Sequence, residues 1–218
     1  MEILKLTNVS KKYDGSNAHA VHSCDISVHE GERISIQGVS GSGKSTLLLM
    51  MSGLLQPTEG EVLWNGKNIY KMNDKELSTW RGNYAGYLFQ NVQLVQALTI
   101  RENLHLARMM GNNPKMDIEQ IIKDLALEQE ADRLPGLLSG GQRRRAMIGC
   151  VLARDPKLIL ADEPTNDLDT EWARKIMEHM ENLTKEGRAL VLVTHDPRWI
   201  QEDSTRYAMN DGVLVKLQ

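Results

Sequence analysis

A glycine- and serine-rich stretch, GVSGSGKST, lies between the apolar segments ERISIQ and LLLMMSGLL. Residues Gly38 to Ser45 match the spacing G-x-x-x-x-G-K-[ST], with a strand-like segment before them and a helix-like segment after them. Glycines let the backbone wrap closely around an anion, so that successive amide groups and a helix N-terminus point at it. The stretch therefore predicts a phosphate-binding loop rather than an ordinary polar turn.

The side chains of this loop have separate expected tasks. Lys44 is expected to reach the β- and γ-phosphates of a nucleotide, and the Ser45 hydroxyl to bind Mg²⁺. The remaining residues expected to contact the nucleotide supply the cradle of amides and hydroxyls: Gly38, Ser40, Gly41, Ser42, Gly43 and Thr46.

The segment KLILADEP is the second candidate site element, because its apolar strand ends in Asp162 and Glu163. A carboxylate at the end of a buried strand is costly unless a cation lies opposite it. We therefore expect Asp162 to bind Mg²⁺, directly or through water, and Glu163 to polarise an attacking water. Taken alone, the segment is also compatible with an Asp-Glu-Pro turn that caps the next helix.

These two segments need a sheet that positions strand ends and helix starts together. Short continuous apolar strands alternate with helical segments along the chain, which is typical of a parallel sheet covered on both faces. We predict a single α/β domain over residues 1–218. Residues 91–136 are mostly helical and are expected to form a lobe, with the core and its β subdomain over residues 1–90 and 137–218.

Composition argues against several classes of protein. The 218 residues include 26 lysines and arginines and 29 aspartates and glutamates, which disfavours a partner bound mainly through nucleic-acid phosphates. Cys24 and Cys150 are far apart in the sequence and have no metal-ligand spacing. A disulfide framework is therefore not expected, and a reducing cytosol fits best. We see no secretory signal and no run near the roughly 18 apolar residues of a membrane span. Any role at a membrane is therefore expected to be that of a peripheral subunit.

A third motif, LSGGQ at residues 138–142, makes the combination specific. Phosphate-binding loop, LSGGQ and acidic strand in this order resemble the ATP-binding subunits of ATP-binding-cassette (ABC) systems, from Tyr13 to the hairpin at Asp211. The resemblance implies a P-loop NTPase core with a mostly parallel sheet, an antiparallel β subdomain and a helical lobe. It also implies an ATPase that uses ATP and Mg²⁺.

The resemblance assigns roles to four residues outside the first two motifs. Tyr13 resembles the aromatic residue that stacks on adenine, the alternative being a simple strand-end tyrosine. Gln90 resembles the Q-loop glutamine, a catalytic residue that touches Mg²⁺ and moves with the transport partner. Asp169 matches the acidic position of the D-loop, NDLD, and His195 resembles the switch histidine that contacts the γ-phosphate.

The LSGGQ motif predicts a second phosphate-binding helix end. A helix that opens with Ser-Gly-Gly presents free amides and a helix dipole, so it attracts an anion. In the family, residues matching Ser139, Gly140, Gly141 and Gln142 bind ATP that is held by the other subunit. The resemblance therefore implies a head-to-tail, two-fold symmetric homodimer around two ATP molecules.

The helix after LSGGQ departs from the usual family pattern. Cys150 stands where an arginine is common, and Gly149 and Cys150 favour a helix less than alanine does. Arg143, Arg144 and Arg145 resemble a nucleic-acid patch, but the acidic composition favours a solvated or salt-bridged helix face. No nucleic-acid partner is therefore expected.

Two longer segments, GYLFQNVQLVQALTIRENL and LILADEPTNDLD, resemble the group that serves lipoprotein release, macrolide export, cell division and antimicrobial-peptide export. This likeness implies an integral membrane permease or transducer as partner, driven in export or mechanical coupling. The subunit itself would be cytoplasmic and peripheral on the inner face of the cell membrane, and would dock through the lobe near Gln90 to Met110. An importer ATPase and a soluble ABC ATPase of an assembly scaffold remain alternatives.

Overall fold

The computed structural model describes residues 1–15, 17–111, 113–200 and 202–217. The strands are β1 (Glu2–Lys12), β2 (His19–His29), β3 (Arg33–Gln37), β4 (Glu59–Trp64), β5 (Lys67–Asn68), β6 (Ala85–Leu88), β7 (Leu158–Asp162), β8 (Ala189–Val193), β9 (Thr205–Asn210) and β10 (Val213–Lys216). The α-helices are α1 (Lys44–Met51), α2 (Asp74–Tyr84), α3 (Ile100–Met109), α4 (Ile118–Asp124), α5 (Gly140–Ala153) and α6 (Thr170–Lys185).

The main sheet has six strands in the order β10-β9-β3-β8-β7-β6. All neighbouring pairs are parallel except β10 and β9, which form the antiparallel hairpin at the chain's end. Every residue of β7 and β8 is buried, which is why these strands are continuously apolar in the sequence. The predicted mostly parallel core is therefore confirmed.

A second, antiparallel sheet has the order β2-β1-β4-β5. Strand β1 lies between β2 and β4, and an Asn65-Gly66 turn joins β4 to β5. Both turn residues have positive φ, 47° at Asn65 and 79° at Gly66, as a tight two-residue hairpin requires. This sheet is the antiparallel β part that was predicted.

Apolar side chains cover the main sheet on both faces. Leu158, Leu160 and Val191 pack in one cluster with residues of α1 and the antiparallel sheet. Ile159 and Leu192, which point the other way, pack in a second cluster with residues of α3, α4, α5 and α6. Within the described residues, no helix combines the length and the hydropathy that a bilayer span needs.

Two helices end earlier than the sequence pattern predicts. The pattern indicated a helix to about Leu55, but α1 ends at Met51 and Gly53 turns the chain with φ of 74°. Likewise the amphipathic pattern of residues 115–129 predicts a helix over that range, but α4 ends at Asp124 and Ala126 has φ of 46°. In both places a left-handed residue ends the helix inside an apolar stretch.

Candidate functional site

The GVSGSGKS loop connects β3 to α1 in the arrangement that a phosphate-binding loop needs. A Cβ atom on Gly38 would lie 2.1 Å from the Met209 carbonyl oxygen, and one on Gly43 would lie 2.1 Å from the Ala20 carbonyl oxygen. Gly43 also has φ of 103° and stands at the N-cap of α1, so no side chain covers the first amides of that helix. The loop therefore leaves a helix N-terminus open to an anion.

Lys44 folds back over this loop. Its Nζ donates to the carbonyl oxygens of Gly38 (2.8 Å) and Val39 (2.7 Å), and lies 3.2 Å from the Ser42 hydroxyl. Burial lowers the pKa of Lys44, whereas the nearby carboxylates of Glu163 and Asp162 act to raise it. The ammonium group is therefore close to both carboxylates.

Asp162 ends β7 as a nearly buried carboxylate, 4% exposed. Burial raises its pKa, while a hydrogen bond with the Ser45 hydroxyl and the charge of Lys44 act against that rise. The hydroxyl of Ser45 and the carboxylate of Asp162 are hard oxygen donors of the kind that Mg²⁺ prefers. Their pairing fits a Mg²⁺ ion, whose charge would also relieve the cost of the buried carboxylate.

Glu163 follows in a strained conformation, with φ of 48°. Such a left-handed backbone costs a non-glycine residue about 1–3 kcal/mol and persists only where the surroundings impose it. The backbone amide of His195 donates to Oε1 of Glu163 (3.0 Å), and Nδ1 of the His195 ring lies 2.8 Å from the same oxygen. Oε2 of Glu163 is buried and has no hydrogen-bond partner among the described residues.

A cavity of about 250 Å³ lies beside these two side chains. Its lining is mostly polar and includes Asn166, Asp167, Thr170 and Asp196 in addition to Glu163. The His195 side chain is 72% exposed, whereas that of Glu163 is 11% exposed. The site therefore offers a fixed carboxylate with one free oxygen and a histidine that is open to solvent.

Tyr13 and Gln90 come shortly after the strands β1 and β6, respectively. The Tyr13 hydroxyl lies 3.3 Å from the Thr46 hydroxyl, and its ring is exposed with the Lys11 ammonium 5.5 Å from the ring centre. Gln90 follows β6 and is exposed. The structure thus places Tyr13 next to α1.

The LSGGQ residues form the start of α5. The Ser139 hydroxyl accepts from the Gln142 amide (3.3 Å), and Oε1 of Gln142 accepts from the Ser139 amide (2.8 Å), so the two form a capping box. A Cβ atom on Gly141 would approach the Asp167 carbonyl oxygen to 3.1 Å, and one on Gly140 would lie 3.7 Å from the Asp167 side chain. This helix start is therefore packed against the NDLD segment of its own chain.

Most of the predicted site residues come together, but the LSGGQ residues do not join them. Within the described residues, the side-chain hydrogen bonds of Ser139 and Gln142 run to each other and to Glu130, and none reaches residues 38–46. Asp169 accepts from the Trp172 amide (2.9 Å) as the N-cap of α6. The helix starts at residues 44 and 140 are thus not joined by side-chain hydrogen bonds in the part of the chain that the structure describes.

The expected solvated or salt-bridged face at Arg143, Arg144 and Arg145 is wrong for Arg144. That side chain is fully buried and donates to backbone carbonyl oxygens, among them those of Pro164 and Phe89. Arg143 bonds the Leu138 carbonyl (2.6 Å), and Arg145 stacks 4.2 Å from the Trp172 ring centre. The signal in the sequence is helical spacing, because Arg144 precedes the apolar Met147 and Ile148 by three and four residues.

Comparisons with known proteins agree with this geometry. A family model described as "ABC transporter" matches residues 21–166. The ABC transporter ATP-binding protein YknY of Bacillus subtilis (strain 168) is 37% identical, over 98% of this chain and 95% of its own. YtrE of the same organism, another ABC transporter ATP-binding protein, is 36% identical, over 94% and 91%.

Two solved structures of the cassette MJ0796 superimpose closely on this chain. One is a dimeric structure of this bacterial ABC transporter cassette, and the other is a dimeric post-hydrolysis state bound to ADP and Pi. Each is 35% identical, covers 99% of both chains and gives a TM-score of 0.91.

Proposed function

The chain belongs to the ABC transporter ATP-binding family, an ATPase cassette, and we propose that it hydrolyses Mg²⁺-bound ATP between two copies to drive an integral membrane partner. The observation that carries the proposal is the carboxylate of Glu163. One of its oxygens is fixed by His195, and the other is buried without a partner among the described residues. A buried acceptor that is left unpaired is costly, which favours a water as a further partner for this oxygen.

Nucleotide binding is proposed for the residues around the loop. The amides of the loop and of the first turn of α1 would bind the phosphates, together with Lys44. The hydroxyl of Thr46 would bind with them, and the exposed ring of Tyr13 would stack on adenine. Ser45 and Asp162 would hold Mg²⁺, with Gln90 completing the set when its segment moves inward. Mg²⁺, when bound, supplies charge neutralisation at the phosphates.

Hydrolysis is proposed to depend on the water that Glu163 orients. Oε2 would accept a hydrogen bond from this water, and His195 would fix Oε1 while its exposed ring faces the γ-phosphate. The contacts of His195 with Oε1 keep the carboxylate in place before the substrate arrives, as pre-organised catalysis requires. The loss of the carboxylate charge should therefore slow the chemical step more than nucleotide binding.

The test of this role is Glu163→Gln, measured for ATP affinity and for steady-state turnover. We expect unchanged affinity and a turnover lower by about 10²–10⁴-fold, because a general base typically contributes that factor. Glu178→Gln, at an exposed glutamate paired with Arg174 on α6, is the control and should hydrolyse ATP normally. Near-normal turnover of Glu163→Gln would rule out the proposed role.

We also propose a head-to-tail homodimer, in which the start of α5 in one copy faces the loop of the other. The observation behind this is that α1 and α5 each begin at a glycine-rich segment, while among the described residues no side-chain hydrogen bond of Ser139 or Gln142 reaches the loop. Ser139, Gly140, Gly141 and Gln142 would close the ATP site of the partner copy, with Asp169 near the same interface. The similar cassette MJ0796 has been solved as a dimer, which supports this arrangement.

Docking of the membrane partner is proposed at the segment near Gln90 to Met110. We assign residues 91–136 to a helical lobe and residues 1–90 and 137–218 to the core. A groove of about 200 Å³ lies where they meet, lined mainly by Tyr87, Phe89, Val95, Leu106, Met110 and Cys150. Met110, which lines the groove, is 58% exposed, and its neighbour Met109 is 81% exposed. This apolar surface suits a short amphipathic helix.

Cross-linking in native membranes tests the docking site. A photoreactive residue at Met109 should cross-link to an integral membrane protein, whereas the same residue at Val213, an exposed apolar position on β10, should not. Adducts at Val213 and none at Met109 would contradict the proposed docking surface.

The identity of the cross-linked protein tests the direction of the work. We propose export or mechanical coupling, with the subunit on the inner, cytoplasmic face of the cell membrane. This proposal expects a partner with few spanning helices and a large outer domain. A permease with many helices and a solute-binding protein would indicate an importer instead. Soluble partners alone would favour an assembly scaffold.

A further inference from the structure

Arg144 is a buried cation that none of the predicted roles uses. Its side chain is fully buried on α5, and within the described residues no carboxylate forms an ion pair with it. Its guanidinium donates to five backbone carbonyl oxygens. A buried charge is costly, even when it is fully hydrogen-bonded. This cost suggests that Arg144 has a function.

The five carbonyl oxygens belong to two segments of the site. Nη1 donates to Phe89 (2.6 Å) and to Gln90 (2.9 Å), which follow β6 in the docking segment. Nε donates to Pro164 (2.9 Å), and Nη2 donates to Asp162 (3.3 Å) and to Glu163. One planar group with donors in fixed directions therefore joins the docking segment to the acidic turn.

The acidic turn needs support from its surroundings. Glu163 has φ of 48°, and its backbone is held by Arg144 at its own carbonyl and at the carbonyls on both sides. The Glu163 amide donates to the Val193 carbonyl (2.9 Å), which fixes the other side of the residue. A left-handed residue of this type keeps its conformation only while such contacts persist.

We propose that Arg144 is a positioning residue for ATP hydrolysis, which keeps the Glu163 carboxylate in its working orientation and couples that orientation to the segment at Phe89 and Gln90. The proposal rests on the function proposed above for Glu163. A shift of the docking segment would pull on Nη1, and the rigid guanidinium would transmit this shift to the turn. Arg144 does not itself touch the nucleotide.

The competing explanation is that Arg144 only stabilises the fold. Arg154 provides a matched comparison, because it ends the same helix and its Nη2 also donates to backbone carbonyls, those of Arg81, Gly82 (3.3 Å) and Ala85 (3.2 Å). None of these carbonyls belongs to the acidic turn. A purely structural role predicts similar consequences for the loss of either arginine.

The experiment measures kcat and KM for ATP in the full chain for Arg144→Met, Arg144→Lys and Arg154→Met. Arg144→Met should lower kcat by about 10- to 100-fold, the usual loss for a supporting residue, with KM within about threefold of the wild type. Arg144→Lys keeps the charge but loses the planar set of guanidinium donors, so its kcat should lie between those of the wild type and Arg144→Met. Arg154→Met should leave kcat per folded molecule within about threefold.

Combination with Glu163→Gln shows whether Arg144 acts through Glu163. In that background Arg144→Met should cause no further loss of the residual turnover, because the group that it positions is already gone. Equal kcat losses in Arg144→Met and Arg154→Met, or a full extra loss in the Glu163→Gln background, would overturn the role of Arg144.

The remaining outcomes separate the two proposals. Where Arg144→Met does not fold, Arg144→Lys decides the matter, and a wild-type kcat for that variant would also overturn the proposal. Normal turnover of Glu163→Gln alone would instead overturn the function proposed for Glu163.

Discussion

Two adjacent carboxylates, Asp162 and Glu163, illustrate how the surroundings of a residue set its chemistry. Burial raises the pKa of Asp162, so the ionised form that would bind Mg²⁺ is less favourable in the fold than in water. Glu163 carries backbone strain and a buried oxygen without a partner among the described residues. Both residues therefore cost stability that binding of MgATP would offset, a common trade between stability and function.

The raised pKa of Asp162 leads to a stability prediction for Asp162→Asn, measured without nucleotide and with EDTA. Because the folded pKa lies above the ordinary value of 3.8, the wild-type fold loses stability as the pH rises through the folded pKa. The asparagine variant avoids this loss. Its free energy of unfolding at pH 7 should exceed the wild-type value by about 0.5–2 kcal/mol, the usual size of a stabilising change.

Denaturant titrations at several pH values check this prediction. The advantage of Asp162→Asn should shrink as the pH falls towards 3.8. Asp132→Asn is the control with the opposite sign, since a hydrogen bond from Arg101 lowers the pKa of Asp132. That variant should be slightly less stable than the wild type at pH 7. An Asp162→Asn variant that is less stable at pH 7 would contradict the argument.

At the scale of elements, the sequence predicts the parts whose information is local. The loop before α1 follows from its spacing, and the strands β7 and β8 follow from their continuous apolar residues. The end of α1 does not, because Gly53 lies inside an apolar run and only its backbone geometry stops the helix. The burial of Arg144 does not follow from the local sequence either, because its partners Phe89 and Pro164 are 55 and 20 residues away.

The segment before α3 is fixed by a side chain of that helix, Asn103, whose role none of the sequence motifs predicts. Asn103 is buried, and its Nδ2 donates to the carbonyls of Val95 (3.1 Å), Leu98 (3.0 Å) and Thr99 (2.8 Å). Its Oδ1 accepts from the Val95 amide (2.8 Å). One side chain thus fixes the loop that forms an edge of the proposed docking groove.

Asn103→Ala should therefore destabilise the chain. The loss leaves buried backbone groups unpaired, which costs about 1–3 kcal/mol in the free energy of unfolding. Urea unfolding should show a lower midpoint with an unchanged m-value. The control is Asn182→Ala on the exposed face of α6, where we expect little change. Equal stability of the two variants would show that the Asn103 hydrogen bonds contribute nothing.

At the scale of the whole molecule, the chain has two glycine-rich helix starts, those of α1 and α5, and among the described residues no side-chain hydrogen bond joins them. The loop before α1 lies with Asp162 and Glu163, whereas the start of α5 packs against Asp167 of its own chain. In the proposed head-to-tail dimer each loop would meet the partner's α5 start, so ATP would join the copies and its hydrolysis would release them.

Ser139→Arg tests this arrangement in the Glu163→Gln background, where ATP is retained. The added side chain fills the space above the first amides of α5, so each chain should still bind ATP but no longer dimerise with it. Loss of the cap costs about 1 kcal/mol, and Thr99→Arg, which removes the equivalent capping box of α3, controls for that cost. Sedimentation with and without ATP should show dimers for Thr99→Arg and monomers for Ser139→Arg. ATP-dependent dimers of Ser139→Arg would place the second phosphate contact elsewhere on the chain.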